Sequence, residues 1–120
     1  ARSDVVLVEG AGGLMSPLGQ QEYVADLAAD LGFPLLVVAR NALGTINHTL
    51  QTLIAAAAHR VPLPVAGIVL THPTPPSDDP STATNRQELS ARSRAPVLAE
   101  VGWEAEGFDA EVDWLGLARR

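Results

Sequence analysis

Neither cysteine nor lysine occurs among the 120 residues. The first absence excludes disulfides, thiolate metal sites and a cysteine nucleophile. The second excludes a lysine base, a Schiff base and a P-loop lysine within this sequence, since all eight basic residues are arginines. Aromatic residues make up only 4% of the chain, and Trp103 and Trp114 read as packing residues rather than stacking platforms. No apolar run is long enough to span a bilayer, so no membrane partner is expected. A formal charge of −6 leaves no basic stripe to neutralise phosphates, which argues against nucleic acid as a partner. The charged opening leads straight into an apolar run, unlike a signal peptide. With the lack of cysteine, this predicts a cytoplasmic protein. The length fits one domain spanning 1–120.

Four runs rich in Val, Leu and Ile predict strands: VVLVE (5–9), PLLVVA (34–39), VAGIVL (65–70) and PVLAEV (96–101). They are nearly continuous rather than alternating, which suits strands covered on both faces. Helical spacing separates them. Val24, Leu27, Ala28 and Leu31 form one stripe, stopped by Gly32 and Pro34; Ile46, Leu50, Leu53, Ile54 and Ala57 form another. Asp79 followed by Pro80 predicts a helix start running towards Arg94. The tail from Asp109 reads as a last helix with Val112, Leu115 and Trp114 inward. Strand–helix repetition predicts an α/β fold, a parallel doubly wound sheet with flanking helices. Ligands bind beyond the carboxyl ends of such strands, where Gly10–Leu18, Arg40–Asn47 and Thr71–Pro80 are expected.

Two of those segments carry chemistry. In VEGAGGLMSPL, Glu9 ends an apolar run, and a buried strand-end carboxylate is costly unless it is paired or bound to a metal. Mg²⁺ takes carboxylate, water and phosphate oxygens, so Glu9 is a candidate ligand. The glycines after it would present backbone N–H groups to an anion without obstruction, or would permit a tight strand-to-loop turn. In LGTINHTLQTL, Gly44 and Thr45 stand at a predicted helix start, which suits a carboxylate or phosphate and equally suits ordinary capping. His59 is expected to meet the carbonyls ending that helix. His72 lies beyond a strand end, within reach of a ligand. No two histidines have zinc-ligand spacing.

The two glycine segments, in this order and spacing, resemble the second half of the dethiobiotin synthetase family, and VAGIVL also fits. That resemblance implies a P-loop NTPase-like enzyme of biotin synthesis, working as a homodimer. Such an enzyme closes a ureido ring on 7,8-diaminopelargonic acid with CO2, ATP and Mg²⁺. By position, Glu9 resembles the family's Mg²⁺ ligand. Gly10, Ala11, Gly12 and Gly13 resemble the backbone beside the phosphates and carbamate. Gly44, Thr45, Ile46 and Asn47 resemble the helix start that receives the substrate carboxylate from the neighbouring subunit. Thr71, His72, Ala99 and Glu100 fall where the family binds the nucleotide base.

Three departures accompany the resemblance. The family's G-x-x-x-x-G-K-[ST] loop and catalytic lysine have no counterpart in this sequence, so the sheet is expected to be incomplete on its N-terminal side and the chain alone inactive. Thr71-His72 replaces the family's Asn, often followed by Asp. Ala99-Glu100-Val101-Gly102 lacks the proline of the family's stretch. An alternative reading is therefore a non-catalytic, dethiobiotin-synthetase-like module for nucleotide binding or dimerisation.

Overall fold

In the computed structural model, which describes residues 4–119, three of the four apolar runs become strands. They are β1 (Leu35–Arg40), β2 (Val65–Thr71) and β3 (Val97–Val101). All pair in parallel in the order β1-β2-β3, so β2 is central and most deeply buried. Among the described residues four α-helices accompany them: α1 (Val24–Leu31), α2 (Thr45–Ala58), α3 (Asn85–Arg92) and the short α4 (Trp114–Ala118). This is the expected α/β architecture.

The core forms on one face of the sheet. Ala39 of β1 and Ile68 and Leu70 of β2 pack with Leu89 of α3, while Ile46, Leu50 and Leu53 of α2 close over them. Alternation along β1 puts Val37 and Ala39 on this face. On the other face Leu36 and Val38 are exposed, Val38 at 63%. A second, smaller cluster joins Ala25 of α1 to Ala56 of α2 and to Leu63.

Four expectations need correction. Residues 5–9 do not form a strand: Val5, Val6, Leu7 and Val8 are all exposed, Leu7 at 91%. A strand persists only where a neighbour accepts its backbone ladder, and among the described residues none pairs with this segment. The inner face of α1 is Ala25, Ala28 and Ala29 rather than the wider stripe, because alanines let the helix pack closely on Ala56; Leu27 and Leu31 remain exposed. Ile54 is likewise exposed on α2, outside the face that Leu50 and Leu53 bury.

The last helix begins at Trp114, not Asp109. Asp109 is committed elsewhere: its N–H donates to the Glu100 carbonyl (3.1 Å) and its Oδ1 accepts from the Glu100 N–H (2.8 Å). Asp113 caps α4 instead, accepting from Gly116 N–H at 2.9 Å. Val112 and Trp114 are partly covered and Leu115 is exposed. Trp114 packs on Phe108 with ring centroids 4.9 Å apart. No helix among the described residues is long and apolar enough to cross a membrane.

The Asp79-Pro80 signal holds in two pieces. Asp79 accepts from Ser81 N–H at 2.9 Å and caps a 3₁₀ turn, Pro80–Ala83. Thr84 breaks the path before α3 resumes it.

Candidate functional site

The glycine loop is pinned at its far end and open in its middle. The Leu14 and Ser16 carbonyls accept from the first N–H groups of α1, Ala25 and Val24, each at 2.9 Å. Before this anchor, Gly12 (φ 87°) and Gly13 (φ 103°) occupy the left-handed region. A Cβ on Gly12 would also stand 2.9 Å from Ser16 Oγ. Gly10, Ala11, Gly12 and Gly13 are exposed, and their N–H groups meet no backbone acceptor among the described residues. Glu9 is exposed as well, so its carboxylate is not the buried strand-end charge expected from the sequence.

The loop between β1 and α2 supplies a second open backbone. Gly44 has φ 98° and caps α2 without a side chain. Thr45 N–H donates to the Ala42 carbonyl (3.1 Å) and His48 N–H to that of Gly44 (3.0 Å). The N–H groups of Ile46 and Asn47 between them have no backbone acceptor among the described residues. The side chains here are directed inward or along the helix. Thr45 is buried against Thr49 (3.3 Å between hydroxyls), Ile46 packs on the core, and Asn47 Oδ1 accepts from Gln51 Nε2 (3.2 Å). What α2 offers a ligand is therefore main chain at the positive end of a helix dipole.

Two adjoining clefts connect the motifs. One, of about 300 Å³, runs along β1 from Val37 to Arg40 and under Leu43 and Thr45. The other, of about 360 Å³, is walled by Leu14 and Met15, the residues that follow the glycines. Both share His48 and Thr52 of α2. The groove thus has the end of the glycine loop on one rim and the start of α2 on the other.

At the carboxyl ends of β2 and β3 the side chains bind one another. His72 Nε2 contacts Glu100 Oε2 directly. Asn41 Nδ2 donates to the same oxygen (2.9 Å) and to the Thr82 carbonyl (3.2 Å). Arg86 reaches Glu100 Oε1 at 3.5 Å and also contacts Asp109. Burial pushes the Glu100 carboxyl up, but hydrogen bonds from His72 and Asn41, with the charges of His72 and Arg86, hold it below its ordinary value. Thr71 Oγ1 donates to the Ala39 carbonyl (3.5 Å), and Ala99 is fully buried in the sheet.

An AAA-domain family model matches residues 1–107. The chain belongs to that family. It is 51% identical over 106 residues to the ATP-dependent dethiobiotin synthetase BioD of Anaeromyxobacter dehalogenans strain 2CP-C, covering 88% of this chain and 46% of that protein. It is 44% identical over 96 residues to the biotin biosynthesis bifunctional protein BioCD of Bordetella avium strain 197N, covering 80% of this chain and 19% of that protein. A third relative, the BioD of Paramagnetospirillum magneticum strain AMB-1, is 42% identical over 96 residues, with 80% of this chain and 42% of that protein covered. The chain thus spans less than half the length of these relatives.

The polar residues around Glu100 were not legible as a group in the sequence. Asn41, Asp79, the neighbours Asn85 and Arg86 on α3, and Asp109 come from four separate segments. Only the capping pair Asp79-Pro80 carried a local signal. His59 also departs from expectation: its Nε2 donates to Asp26 Oδ1 of α1 at 3.1 Å, instead of meeting the helix carbonyls.

Proposed function

We propose that this sequence forms part of an ATP-dependent dethiobiotin synthetase, which closes the ureido ring of dethiobiotin on 7,8-diaminopelargonic acid with CO2 and ATP. The observation that supports this reading is the pair of open backbones: the Gly10–Gly13 and Ile46–Asn47 N–H groups have no backbone acceptor among the described residues, and the residues next to each, Leu14 and Met15 on one side and Thr45 and His48 on the other, line the groove. Backbone donors of this kind suit oxyanions. The amides of Gly10, Ala11, Gly12 and Gly13 hold phosphate or carbamate oxygens. Gly44, Thr45, Ile46 and Asn47 receive the substrate carboxylate, for the neighbouring subunit of a homodimer. The base lies against Thr71 and His72, with Glu100 beneath them; Ala99, fully buried in β3, supports this end of the sheet without reaching a ligand. The enzyme works in the cytoplasm.

Glu9 fits Mg²⁺ as one exposed carboxylate beside a glycine loop, since this ion keeps most of its shell in water and phosphate oxygens. When bound, the ion neutralises phosphate charge. Among the described residues no three His, Asp or Glu gather into a further metal cage. Phosphoryl transfer also needs cationic stabilisation. With no lysine in the sequence, that charge comes from groups outside these residues.

The test is direct. The full-length protein carrying this sequence is incubated with diaminopelargonate, bicarbonate and Mg·ATP, and the product is read by mass spectrometry. ATP-dependent dethiobiotin supports the reading; its absence refutes it. One observation favours a second reading, a nucleotide-binding module without catalysis: the glycine loop and helix start that suit oxyanions are present, but this sequence holds no lysine to stabilise phosphoryl transfer. Nucleotide binding without product would support that reading.

A further inference from the structure

Asn85 is 2% exposed and Asn41 is 5% exposed, so both amides are withdrawn from water at the junction of α3 with the β1–α2 loop. Buried amides are retained only where their hydrogen bonds are met. Those bonds have a direction. Asn85 Nδ2 donates to Asn41 Oδ1 (2.9 Å), to the Ala42 carbonyl (3.2 Å) and to Ser81 Oγ (3.2 Å). Asn41 carries the chain onward to Glu100. One residue further along the loop, Asp79 Oδ2 accepts from Leu43 N–H at 2.8 Å. The loop that ends in Gly44 is thus fastened at three successive residues by groups from the segment 79–85, while the N–H groups of Ile46 and Asn47 beyond it meet no backbone acceptor among the described residues.

We infer that Asn85 is a positioning residue: through Asn41 and Ala42 it fixes the start of α2 for its anionic ligand and ties that site to Glu100 at the nucleotide end. This rests on the synthetase reading for the identity of the ligand, but not for the mechanics. Asn85 lies on α3, under the loop, and acts only through what it holds. Preorganised donors bind an anion without first ordering the loop. Losing the fastening therefore raises the concentration of carboxylate substrate needed and leaves the chemical step comparatively unchanged.

The experiment uses the full-length protein and three variants. Asn85→Ala removes the fastening. Asn85→Asp keeps the volume and places an acceptor against Asn41 Oδ1 and the Ala42 carbonyl. Leu89→Ala, at a fully buried position on the same helix, lowers stability without touching the polar contacts. The expected result is a KM for diaminopelargonate raised about tenfold in both Asn85 variants, with kcat and the KM for ATP within about threefold of wild type. Leu89→Ala should shift neither KM. Hydrogen exchange at Gly44–Asn47 should accelerate about tenfold or more in the Asn85 variants and not in Leu89→Ala.

Unchanged substrate KM and unchanged exchange in a folded Asn85 variant would overturn the inference. So would a Leu89→Ala variant that behaves like them. If the wild-type protein makes no dethiobiotin, the synthetase reading fails, and the exchange measurement still decides the positioning role. If Asn85→Ala does not fold, Asn85→Asp decides it.

Discussion

The imidazole of His59, at the end of α2, donates to the carboxylate of Asp26 in α1 across 3.1 Å. Arg60 adds a second donor at 3.0 Å, and the other Asp26 oxygen accepts from Tyr23 N–H at 2.8 Å, capping α1. One carboxylate therefore starts α1 and joins it to the end of α2. This matters to the site because α1 also anchors the glycine loop at Leu14 and Ser16.

Asp26 is held below the ordinary carboxylate range, first by the Tyr23 N–H, then against burial by His59 and Arg60. A depressed folded value stabilises the protein above the unfolded pKa of about 3.9, and that stability is lost as pH falls through the folded value. Urea midpoints of the full-length protein should therefore drop in this acid window. In Asp26→Ala the midpoint should be lower at neutral pH and the acid decline shallower. Parallel pH curves for the two proteins would contradict the linkage.

Gly44→Ala forces a side chain into φ 98°, at a cost of about 1–2 kcal/mol, with the new Cβ 3.4 Å from His48 Cε1. Relief requires the loop to rotate, which turns the first N–H groups of α2. Denaturant titration should show the lost stability, and the KM for diaminopelargonate should rise more than the KM for ATP.

Much of this architecture was legible in the sequence, for physical reasons that differ by element. The runs at 34–39, 65–70 and 96–101 became β1, β2 and β3 with ends moved by about one residue, because continuous burial leaves a continuous apolar signal. The run at 5–9 has the same composition and stays exposed, because pairing depends on a neighbour that composition does not encode. Gly44 was legible as a helix start. The fastening of its loop was not, since Asn41, Asn85 and Glu100 meet only after the parallel sheet brings their segments together.

Glu100→Gln should weaken the folded state by about 1 kcal/mol, the typical worth of a hydrogen bond after solvent screening. Its carboxyl lies below the ordinary value despite burial, because His72, Asn41 and Arg86 favour the charged form. Its contribution is present above about pH 4.3 and fades as pH falls through the lower folded value. The variant should show a shallower acid decline in midpoint; an unchanged decline would place the acid sensitivity elsewhere.

The edge of β1, which has no strand partner among the described residues, together with exposed Leu36 and Val38 and the exposed apolar residues 5–8, offers surface for self-association in the 120-residue chain taken alone. Light scattering should show mass rising with concentration, and Val38→Lys should reduce it. A monodisperse monomer at high concentration would contradict this.

The most direct measurement is a crystal structure of the full-length protein with diaminopelargonate and ADP. The account predicts the substrate carboxylate within about 2.7–3.2 Å of the Ile46 and Asn47 N–H nitrogens, and phosphate oxygens at the Gly10–Gly13 amides. A carboxylate bound by side chains elsewhere, with the start of α2 facing only water, would contradict it.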